Sequence, residues 1–453
     1  MTGHRARRFA SLAAALAFAL PLGRAADAAS FADVGKQRPI TILINASPWY
    51  ASFEAMVELY ETQTGNRVKL DVTPYGGTLD KARNAVRGPS SPYDLINLDT
   101  QWTIEFYEGG FLTPYSDIDP GFTLPKEVLT YDDAGYWNAG KRWRTADGGK
   151  LMAWSPNGNV HLFLYRSDLF GAAGLKAPET WSDVIAACGK IAKPPQSYGA
   201  VFRGEKGNGV RYDWMPFMLG EKASVVKDAA AGDYTVTINS PEAKRALDQM
   251  LAVSKSCGPP NAASLGQGDV IQLLATGKAV QGMVVAAAWP TFDDSSKSAV
   301  VGKIDAVPVP RPADGVHGDA IGNWNMAVPR SVPDDRKKAA VAFAKWFLTR
   351  EAQQAYVEAG GIPVRRDALR PELAAEPKYR WMKAYLETQS FAKQELGYAE
   401  GAEVEQVLGL RLNQALLGEL SSAKALNSAA TEIEALFQKS GRRTGHLAPL
   451  PDG

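Results

Sequence analysis

The sequence contains few of the residues that build metal sites and disulfide frameworks. Its 453 residues include two cysteines, Cys188 and Cys257, and four scattered histidines. This set cannot form a standard structural zinc site, so we expect no metal ion. Both cysteines lie in or directly after helical patterns, Trp181 to Ile191 and Pro241 to Ser256. We expect a disulfide that pins two helices together; the alternative is a pair of small buried thiols.

An excess of charge of one sign is also missing. The chain has 50 Lys+Arg against 49 Asp+Glu, a formal net charge of +1, which argues against a nucleic-acid partner. Apolar residues make up 45% and charged residues 22% of the chain, as in ordinary soluble globular proteins. There is no low-complexity tract that would indicate disorder. The length is typical of two or three domains.

The common nucleotide-binding and hydrolase motifs are absent from the sequence, which has neither G-x-x-x-x-G-K-[ST] nor G-x-S-x-G. We therefore expect no cofactor. Gly204–Gly209 has the composition of a phosphate loop but no evident helix start. Asp117–Gly121 lacks the full set of calcium ligands. Asp293 and Asp294, which could be proposed as glycosidase acids, are adjacent in a loop rich in Ser and Lys, where solvated surface is the expected role.

Long apolar runs are confined to the N-terminus. His4–Arg8 is basic, Phe9–Leu22 is apolar, and Ala26–Ala28 has the small-x-small pattern of a signal-peptidase site. The alternative is a membrane anchor, but the apolar run is too short to span a bilayer. We therefore expect residues 1–28 to be a cleavable signal peptide.

Strand and helix patterns alternate after this leader. Ile40–Asn45 is typical of a buried strand and precedes a helical pattern, and Val68–Val72 and Tyr93–Leu98 predict further strands. The alternation restarts near Leu151, after a loop-rich stretch. This order favours an α/β protein of two lobes joined by extended crossings. Pro308–Pro312 is a candidate crossing, since proline favours extended backbone.

Several short motifs follow one another in a recognisable order. The most specific is the stretch Leu164–Phe170, Gly174–Leu175 and Pro178–Trp181. The others, in chain order, are Phe53–Gly65, Tyr93–Asp99, Gly109–Pro114, Gly277–Ala279, Trp346–Leu348, Glu351–Gln353, Gly361–Arg365 and Gly418–Leu436. Together they resemble the family 1 extracellular solute-binding proteins of bacterial ABC importers, which include the maltose-binding proteins. The resemblance covers nearly the whole chain after residue 28.

The resemblance implies a periplasmic binding protein fold of type II. This fold has two Rossmann-like α/β lobes, a multi-segment hinge and a ligand cleft between the lobes. The N-terminal lobe would comprise residues 38–145 and 313–355, and the C-terminal lobe residues 146–312 and 356–453. The implied protein is a periplasmic monomer without catalytic activity. It would capture a neutral sugar, oligosaccharide or polyol by lobe closure and deliver it to the membrane permease subunits of an ABC importer.

The same sequence features are compatible with two other functions. One is a secreted carbohydrate-active enzyme, and another is a binding protein that serves as a sensor. Aromatic and neutral polar residues favour a neutral ligand, but Arg203, Arg211, Arg365 and Arg366 leave a sugar phosphate or another non-sugar solute as an alternative.

Candidate ligand contacts are sought where strands end, because ligands of open α/β sheets bind there. A sugar needs aromatic platforms for its faces and polar side chains for its hydroxyls, and the chain has 11 Trp. Ser47 and Trp49 follow the first strand; Trp49 could instead pack on the next helix. Asp99, Gln101 and Trp102 follow the third strand and align with sugar-binding positions of the family. Asp99 has a second possible role as a helix N-cap.

The second lobe supplies further candidates. Asn157 and Asn159 lie at its predicted entry, although the intervening Gly158 is also compatible with a plain turn. Tyr212 and Asp213 occupy a region where the family has an aromatic ligand contact, and the resemblance is loose there.

The last candidates lie in the C-terminal half. Trp289 ends an apolar strand and resembles a sugar-stacking tryptophan. Asn323 and Trp324 are predicted contacts whose alternative role is hinge packing. Arg365 could bond vicinal hydroxyls or form a salt bridge between lobes. His161 is expected in the core.

Overall fold

The computed structural model describes residues 31–369 and 372–452. The predicted signal peptide at 1–28 therefore lies outside the described residues. Among the helices of the described part of the chain, none combines the length and the apolar composition that a membrane span requires.

Helices and strands alternate along most of the described chain. The helices are α1 (Tyr50–Thr64), α2 (Tyr75–Arg87), α3 (Thr103–Glu108), α4 (Tyr115–Ile118), α5 (Ser167–Ala172), α6 (Trp181–Ile191), α7 (Asn208–Gly220), α8 (Pro241–Cys257), α9 (Gln267–Ala275), α10 (Trp289–Asp293), α11 (Asp334–Phe347), α12 (Arg350–Glu358), α13 (Met382–Phe391), α14 (Gly401–Leu416) and α15 (Ser422–Lys439). The strands are β1 (Ile40–Asn45), β2 (Val68–Thr73), β3 (Leu95–Asp99), β4 (Tyr136–Trp137), β5 (Lys150–Leu151), β6 (Ala153–Trp154), β7 (His161–Arg166), β8 (Tyr198–Val201), β9 (Val226–Asp228), β10 (Asp233–Val236), β11 (Ala279–Val285), β12 (Ile304–Val307), β13 (Asp319–Ala320), β14 (Trp324–Ala327), β15 (Ala392–Lys393) and β16 (Thr444–His446).

The first large sheet has the strand order β2-β1-β3-β14-β6. Strand β1 pairs in parallel with β2 and β3, whereas β14 is antiparallel to β3 and β6. The predicted strand Ile40–Asn45 is β1, with the predicted bounds. Helices α2 and α11 both pack on β1, and Ile42, Leu43 and Ile44 are fully buried. Burial on both faces explains why this strand is a continuous apolar run rather than an alternating one.

The second large sheet has the order β12-β7-β11-β8. Strand β7 is antiparallel to β12 and β11, and β11 is parallel to β8. Every residue of β11 is buried, since α6 and α9 pack on it. Helices α6 and α8 pack on each other, and a disulfide between Cys188 and Cys257 joins them. The structure thus adopts the bridged alternative for the two cysteines.

The chain first passes between the large sheets after Trp154. Trp154 pairs with Met326 of β14 in the first sheet, whereas the carbonyl of Val160 accepts a hydrogen bond from Ala286 N beside the second sheet. The predicted lobe boundary at residue 146 places β6 in the C-terminal lobe, but β6 pairs within the first sheet. Residues 155–159 are therefore the crossing.

The return crossing lies later than the proline-rich segment predicted for it. Arg311 donates to the Glu179 carboxylate, with Nη2–Oε1 at 2.8 Å, so Pro308–Pro312 still packs on the second lobe. The carboxylate of Asp319 accepts from His161 N at the second sheet, and the carbonyl of Asn323 accepts from Thr100 N at the first. The chain crosses between these two residues, and the other lobe boundaries stay predictions.

The two crossings are bonded to each other through asparagines. Asn323 Oδ1 accepts from Asn159 N at 2.9 Å, and Asn323 Nδ2 donates to Ser155 Oγ at 3.3 Å. Asn159 Nδ2 donates to the carbonyl of Gly322 at 3.0 Å. These bonds make the crossings one hydrogen-bonded hinge unit.

Two glycines in the crossings allow close approach of tyrosine hydroxyls. A Cβ at Gly158 would overlap the hydroxyl oxygen of Tyr385, and a Cβ at Gly322 would overlap that of Tyr212. Only glycine fits at either position with these tyrosines in place.

Candidate functional site

A cavity of about 180 Å³, called here the main cavity, lies beside the crossings and between segments of the two lobes. Its lining residues come from strand ends, helix starts and the crossings. They are Asn45, Ala46, Ser47, Pro48, Trp49, Tyr75, Asp99, Gln101, Asn159, Arg203, Glu205, Asn208, Arg211, Tyr212, Gln267, Val285, Ala287, Ile321, Gly322 and Trp324.

The first wall is built at the carboxyl ends of β1 and β3. Because these strands are parallel, their carboxyl ends meet at one edge of the sheet. Ser47 and Trp49 follow β1, and Asp99 and Gln101 lie at the end of β3. The Trp49 ring is 2% exposed and packs edge-to-face on Phe53 of α1, with ring centroids 5.7 Å apart.

Three aromatic rings form a corner of this wall. Tyr75 and Trp102 have ring centroids 4.9 Å apart, and Trp324 lies 5.8 Å from Tyr75 and 5.4 Å from Trp102. Trp324 is brought there because it pairs with Asp99 in the β14–β3 register. Trp102 supports the other two rings from behind and does not line the main cavity.

The second wall is formed mainly by α7 and the segment before it. Tyr212 donates its hydroxyl to the carbonyl of Ala320 at 3.0 Å. Its ring centroid lies 4.1 Å from that of the buried His161 ring. The guanidinium carbons of Arg203 and Arg211 lie 5.0 and 5.5 Å from the Tyr212 centroid. The ring is therefore held in one orientation from several sides.

A buried charge network stands behind Tyr212. His161 Nδ1 lies 2.6 Å from Asp319 Oδ1, and His161 Nε2 lies 3.1 Å from Asp213 Oδ1. Burial alone would lower the pKa of His161, but Asp319 and Asp213 outweigh it and raise the pKa. Burial would raise the pKa of Asp213, but Arg203 and His161 hold it below its usual value. Arg203 Nε donates to Asp213 at 2.7 Å, so this network fixes a cavity-lining guanidinium.

Glu405 of α14 gathers groups from both walls. It is 1% exposed and forms an ion pair with Arg211. Tyr75 donates its hydroxyl to Glu405 Oε1 at 3.0 Å, and Asn208 Nδ2 donates to Glu405 Oε2 at 2.8 Å. Gln101 hydrogen bonds to Glu405 and Arg211. Glu405 thus links the first wall to the second.

Asp99 is the carboxylate of the first wall, and no cationic side chain of residues 31–369 or 372–452 forms a salt bridge with it. Burial raises the pKa of Asp99 to about 7, and the nearby Glu405 adds to the rise, while Arg211 opposes it. Asp99 also accepts a long bond from Gln101 N at 3.4 Å, as a cap of the short 3-10 helix Thr100–Trp102. Its two expected roles, lining the site and capping, are therefore combined.

Several residues that line the main cavity carry a buried polar atom with no partner in the described part of the chain. Among the described residues that line it, five carry a buried side-chain N or O atom without a hydrogen bond: Asn45 Oδ1, Ser47 Oγ, Trp49 Nε1, Asn159 Oδ1 and Arg211 Nε. An unmet buried polar group costs about 1–3 kcal/mol. The set includes donors and acceptors, and all five atoms lie beneath the surface of the cavity wall.

The structure brings seven of the predicted contacts together at the main cavity. They are Ser47, Trp49, Asp99, Gln101, Asn159, Tyr212 and Trp324. Trp102 and Asp213 stand directly behind the lining, as described above. Asn323 lies in the hinge unit, where packing was its alternative role.

Asn157 and Arg365 are used for packing away from the main cavity. Asn157 Oδ1 accepts from Tyr356 Oη at 2.8 Å and from Ile362 N at 3.0 Å. Arg365 forms a two-point salt bridge with Asp367 at 2.8 and 2.7 Å, and Arg365 Nη1 donates to the carbonyl of Leu348 at 2.9 Å. Their donors and acceptors are occupied, so the structure does not bring them to a ligand.

Trp289 lines a different cavity of about 210 Å³, called here the Trp289 cavity. Its Nε1 donates to Asp293 Oδ2 at 3.1 Å and to the carbonyl of Lys378 at 3.2 Å. The guanidinium of Arg380 lies 4.5 Å from the ring centroid and pairs with Asp293. The chain's own groups thus cover this tryptophan, and the predicted sugar platform is not at the main cavity.

The prediction also missed lining residues. Tyr75 follows β2 as Ser47 follows β1, so the rule that found Ser47 applies to it equally. Arg203, Asn208 and Arg211 were missed as contacts of a neutral ligand because Gly204–Gly209 showed no evident helix start, whereas α7 begins there at Asn208. Within residues 31–369 and 372–452, no group of three or more His, Cys, Asp or Glu side chains is placed to hold a metal.

Comparisons with known proteins agree with this architecture. Residues 45–354 match the family model for bacterial extracellular solute-binding proteins. The mannitol-binding protein of Pseudomonas aeruginosa is 24% identical over 341 residues, which cover 74% of this chain and 70% of that protein.

Solved structures give the fold. An ABC transporter solute-binding protein from Agrobacterium radiobacter K84 in complex with ribitol is similar with a TM-score of 0.76 and 23% identity, over 88% of this chain and 99% of that one. Maltose-bound T. maritima MalE3 is similar with a TM-score of 0.76 and 22% identity, over the same 88% and 99%. The fold is that of type II periplasmic binding proteins, with two α/β lobes and a multi-segment hinge. On the match over residues 45–354, the chain belongs to the bacterial extracellular solute-binding protein family.

Proposed function

We propose that this protein is the substrate-binding component of an ABC importer for a small neutral polyol or monosaccharide. The ligand would occupy the main cavity, and closure of the lobes would bring both walls onto it. The closed form would then be presented to membrane permease subunits. The protein would act as a monomer in the periplasm after removal of residues 1–28, and it would release its ligand chemically unchanged.

The observation that carries this proposal is that aromatic and polar side chains line the same cavity. Trp49, Tyr212 and Trp324 line the cavity with ring surface, which suits the C–H groups of a carbohydrate or alditol. The polar lining residues, which include Asp99, Gln101, Asn159 and Asn208, offer both donors and acceptors. Each hydroxyl of a polyol donates one hydrogen bond and accepts others. A polyhydroxylated solute therefore matches both kinds of surface at once.

Size narrows the ligand class. The cavity volume of about 180 Å³ is below the roughly 300–1,000 Å³ of pockets for drug-sized ligands. A single sugar ring or an open-chain alditol is the better fit than an oligosaccharide. The relatives named for mannitol and ribitol support the same class.

Charge argues for a neutral ligand. The guanidinium of Arg203 is paired with Asp213 and that of Arg211 with Glu405. Asp99, in contrast, forms no salt bridge with any of the described residues. A sugar phosphate would have to break an ion pair and approach this carboxylate, and both steps cost free energy.

Closure follows from contacts on both sides of the ligand. A ligand touching Trp49 on one wall and Tyr212 on the other interacts fully only when the walls are together. It therefore favours the closed state by its differential affinity. Moving the population from 1:99 to 99:1 requires about 10⁴-fold tighter binding to the closed form.

The test is titration calorimetry on the chain from Ala29, with ribitol, mannitol, erythritol, glucose, maltose and glucose 6-phosphate as probes. We expect the alditols or glucose to bind. At a ligand concentration of 100 times the Kd, the free energy of unfolding should rise by about 2.7 kcal/mol, which a thermal-unfolding measurement detects. The phosphate should not bind. Tightest binding of glucose 6-phosphate would contradict the charge argument, and absence of binding by every probe would contradict the proposed ligand class.

A second measurement separates binding from catalysis. Maltose and mannitol are incubated with the protein and analysed by chromatography. We expect each to be recovered intact, whereas turnover would favour the alternative of a secreted carbohydrate-active enzyme.

A further inference from the structure

The main cavity has a neighbour on its outer side. A groove of about 360 Å³, called here the outer groove, lies between the starts of α2, α7 and α14. Tyr75 and Asn208 line both the main cavity and the outer groove. These two side chains therefore stand between the two spaces.

The two side chains are bonded into a continuous barrier. Asn208 Nδ2 donates to Tyr75 Oη at 3.0 Å, and Gln101 Nε2 donates to the same hydroxyl at 2.7 Å. Both Tyr75 and Asn208 donate to the buried carboxylate of Glu405. Bonds to a charged partner are the stronger kind, so Glu405 fixes the barrier from below.

Packing fixes the tyrosine further. The Tyr75 ring rests between Trp102 and Trp324, with centroid distances of 4.9 and 5.8 Å. A rotation of the ring out of the barrier would lose both contacts and the bond to Glu405. The barrier is thus a rigid wall and not a mobile side chain.

We propose that Tyr75 and Asn208, held by Glu405, form a partition that sets the maximum length of the ligand. The partition closes the main cavity at one end, so a solute of one ring or one short chain fits, and a second ring is excluded. Without the partition, the main cavity and the outer groove would form one continuous space. This inference rests on the proposed function of the main cavity.

The partition also joins residues of the two lobes. Tyr75 begins α2 beside the first sheet, whereas Asn208 and Glu405 belong to α7 and α14, which pack on each other. A disaccharide extending past the end of the cavity would hold Tyr75 and Asn208 apart. Their bonds to each other would then be lost, and closure would be less favourable for the longer ligand. The discrimination acts through closure as well as through volume.

The experiment compares two short alditols with maltitol, a hexitol that carries one glucose ring. Kd values for ribitol, mannitol and maltitol are measured by calorimetry for the wild type, Tyr75→Ala, Asn208→Ala and Tyr75→Phe. Tyr93→Ala is the matched control, because Tyr93 is a half-buried tyrosine bonded to Asp71 and lines neither space. Melting temperatures are recorded for every variant.

We expect the wild type to bind a hexitol or pentitol at least 100-fold more tightly than maltitol. Tyr75→Ala should reduce this ratio at least tenfold, and Asn208→Ala by a smaller factor in the same direction. Tyr75→Phe keeps the volume of the ring and should leave maltitol excluded. Tyr93→Ala should leave the ratio unchanged.

Three results would overturn the partition. They are a wild type that binds maltitol as tightly as mannitol, an unchanged ratio in both alanine variants, or an equal change in Tyr93→Ala. If Tyr75→Ala does not fold, Asn208→Ala decides alone. If the wild type binds glucose but neither short alditol, the same comparison is made with glucose and maltose. If it binds none of these solutes and none of the probes of the proposed function, the proposed function fails, and the partition fails with it.

Discussion

Trp49 and Trp289 occupy equivalent places in the two lobes but have different surroundings. Each follows a strand end of a large sheet, begins a helix and is buried, at 2% and 3% exposure. The indole N–H of Trp49 has no hydrogen-bond partner among the residues that the structure describes, whereas that of Trp289 donates to Asp293 and to the carbonyl of Lys378. Arg380 covers the Trp289 ring.

The difference shows that position along the chain does not by itself place a tryptophan at the main cavity. Position at a strand end selected both tryptophans, and only one lines the main cavity. Unused hydrogen-bonding capacity accompanies the cavity-lining position in this pair. It is not unique to that position, since the indole N–H groups of Trp181 and Trp214 also lack a partner among the described residues and these side chains line neither cavity. Such capacity depends on distant residues such as Lys378, so it becomes visible only in the folded chain.

The strongest test exchanges each tryptophan for alanine. Trp49→Ala should weaken binding of the cognate solute by about 30- to 100-fold, since buried aromatic anchors contribute about 2–3 kcal/mol. Trp289→Ala should change the Kd by less than threefold. Calorimetry measures both variants, and circular dichroism checks their fold. An equal loss of affinity in the two variants would show that the main cavity and the Trp289 cavity do not differ in their role in binding.

A second test removes the cover of Trp289. Arg380→Ala leaves Asp293 without its bidentate partner, so the free energy of unfolding should fall by about 1–2 kcal/mol in urea titrations. Ligand affinity should not change. Arg245→Ala breaks exposed ion pairs with Glu221 and Glu242 and serves as the control, with an expected loss below about 0.5 kcal/mol. Weaker ligand binding in Arg380→Ala would mean that the Trp289 cavity takes part in recognition.

A smaller effect is expected from one hydroxyl of the second wall. Tyr212→Phe removes the bond to the carbonyl of Ala320, and binding should weaken by about three- to tenfold. Tyr107→Phe is closely matched, because Tyr107 also donates to a backbone carbonyl, that of Ala134, at 3.0 Å. It lies away from the main cavity and should lower stability only. A Tyr107→Phe variant that binds as weakly as Tyr212→Phe would show that the loss reflects general loosening.

The smallest expected effect is a pH dependence. The pKa of Asp99 is raised to about 7 in the folded chain, so the fold binds this proton more tightly than the unfolded chain does. The resulting stability is fully present below about pH 4 and is lost as the pH rises through about 7. In the wild type this effect lowers the Tm as the pH rises from 5 to 8. In Asp99→Asn the decrease in Tm over this range should be smaller by about 2 °C.

Glu395 provides the control for this measurement. Burial also raises its pKa to about 7, and it does not line the main cavity. Glu395→Gln should flatten the pH dependence of Tm but leave that of the Kd intact, whereas Asp99→Asn should alter both. If the Kd of the wild type did not change with pH, Asp99 would not be a ligand contact.

The first wall of the site could be predicted because its geometry is local. Parallel strands bring their carboxyl ends to one edge, and Ser47, Asp99 and Gln101 stand directly after strands. The sequence also indicated both sheets, and Ile40–Asn45 was predicted to the residue.

The second wall and the hinge could not be predicted in the same way. Helix α7 starts from glycines and contains Pro216, so its pattern is not helical by composition. Glu405 lies 330 residues from the Tyr75 it bonds, and no local pattern connects them. The return crossing was placed at Pro308–Pro312 because of its prolines, although these pack on the second lobe and the turn between sheets comes later.

The two crossing glycines have a consequence for how this gene can vary. A side chain at Gly158 or Gly322 would overlap a tyrosine hydroxyl. In a library that encodes all amino acids at these two positions, selection should therefore retain almost only glycine codons. Gly35 and Gly302 differ, because an added Cβ would meet no neighbouring atom there and only their positive φ restricts the choice of residue. Asparagine and aspartate, which tolerate positive φ, should therefore also be found at these two positions after selection. Sequencing the library before and after selection for growth on the solute would thus distinguish the glycines of the hinge from glycines that are restricted only by their backbone conformation.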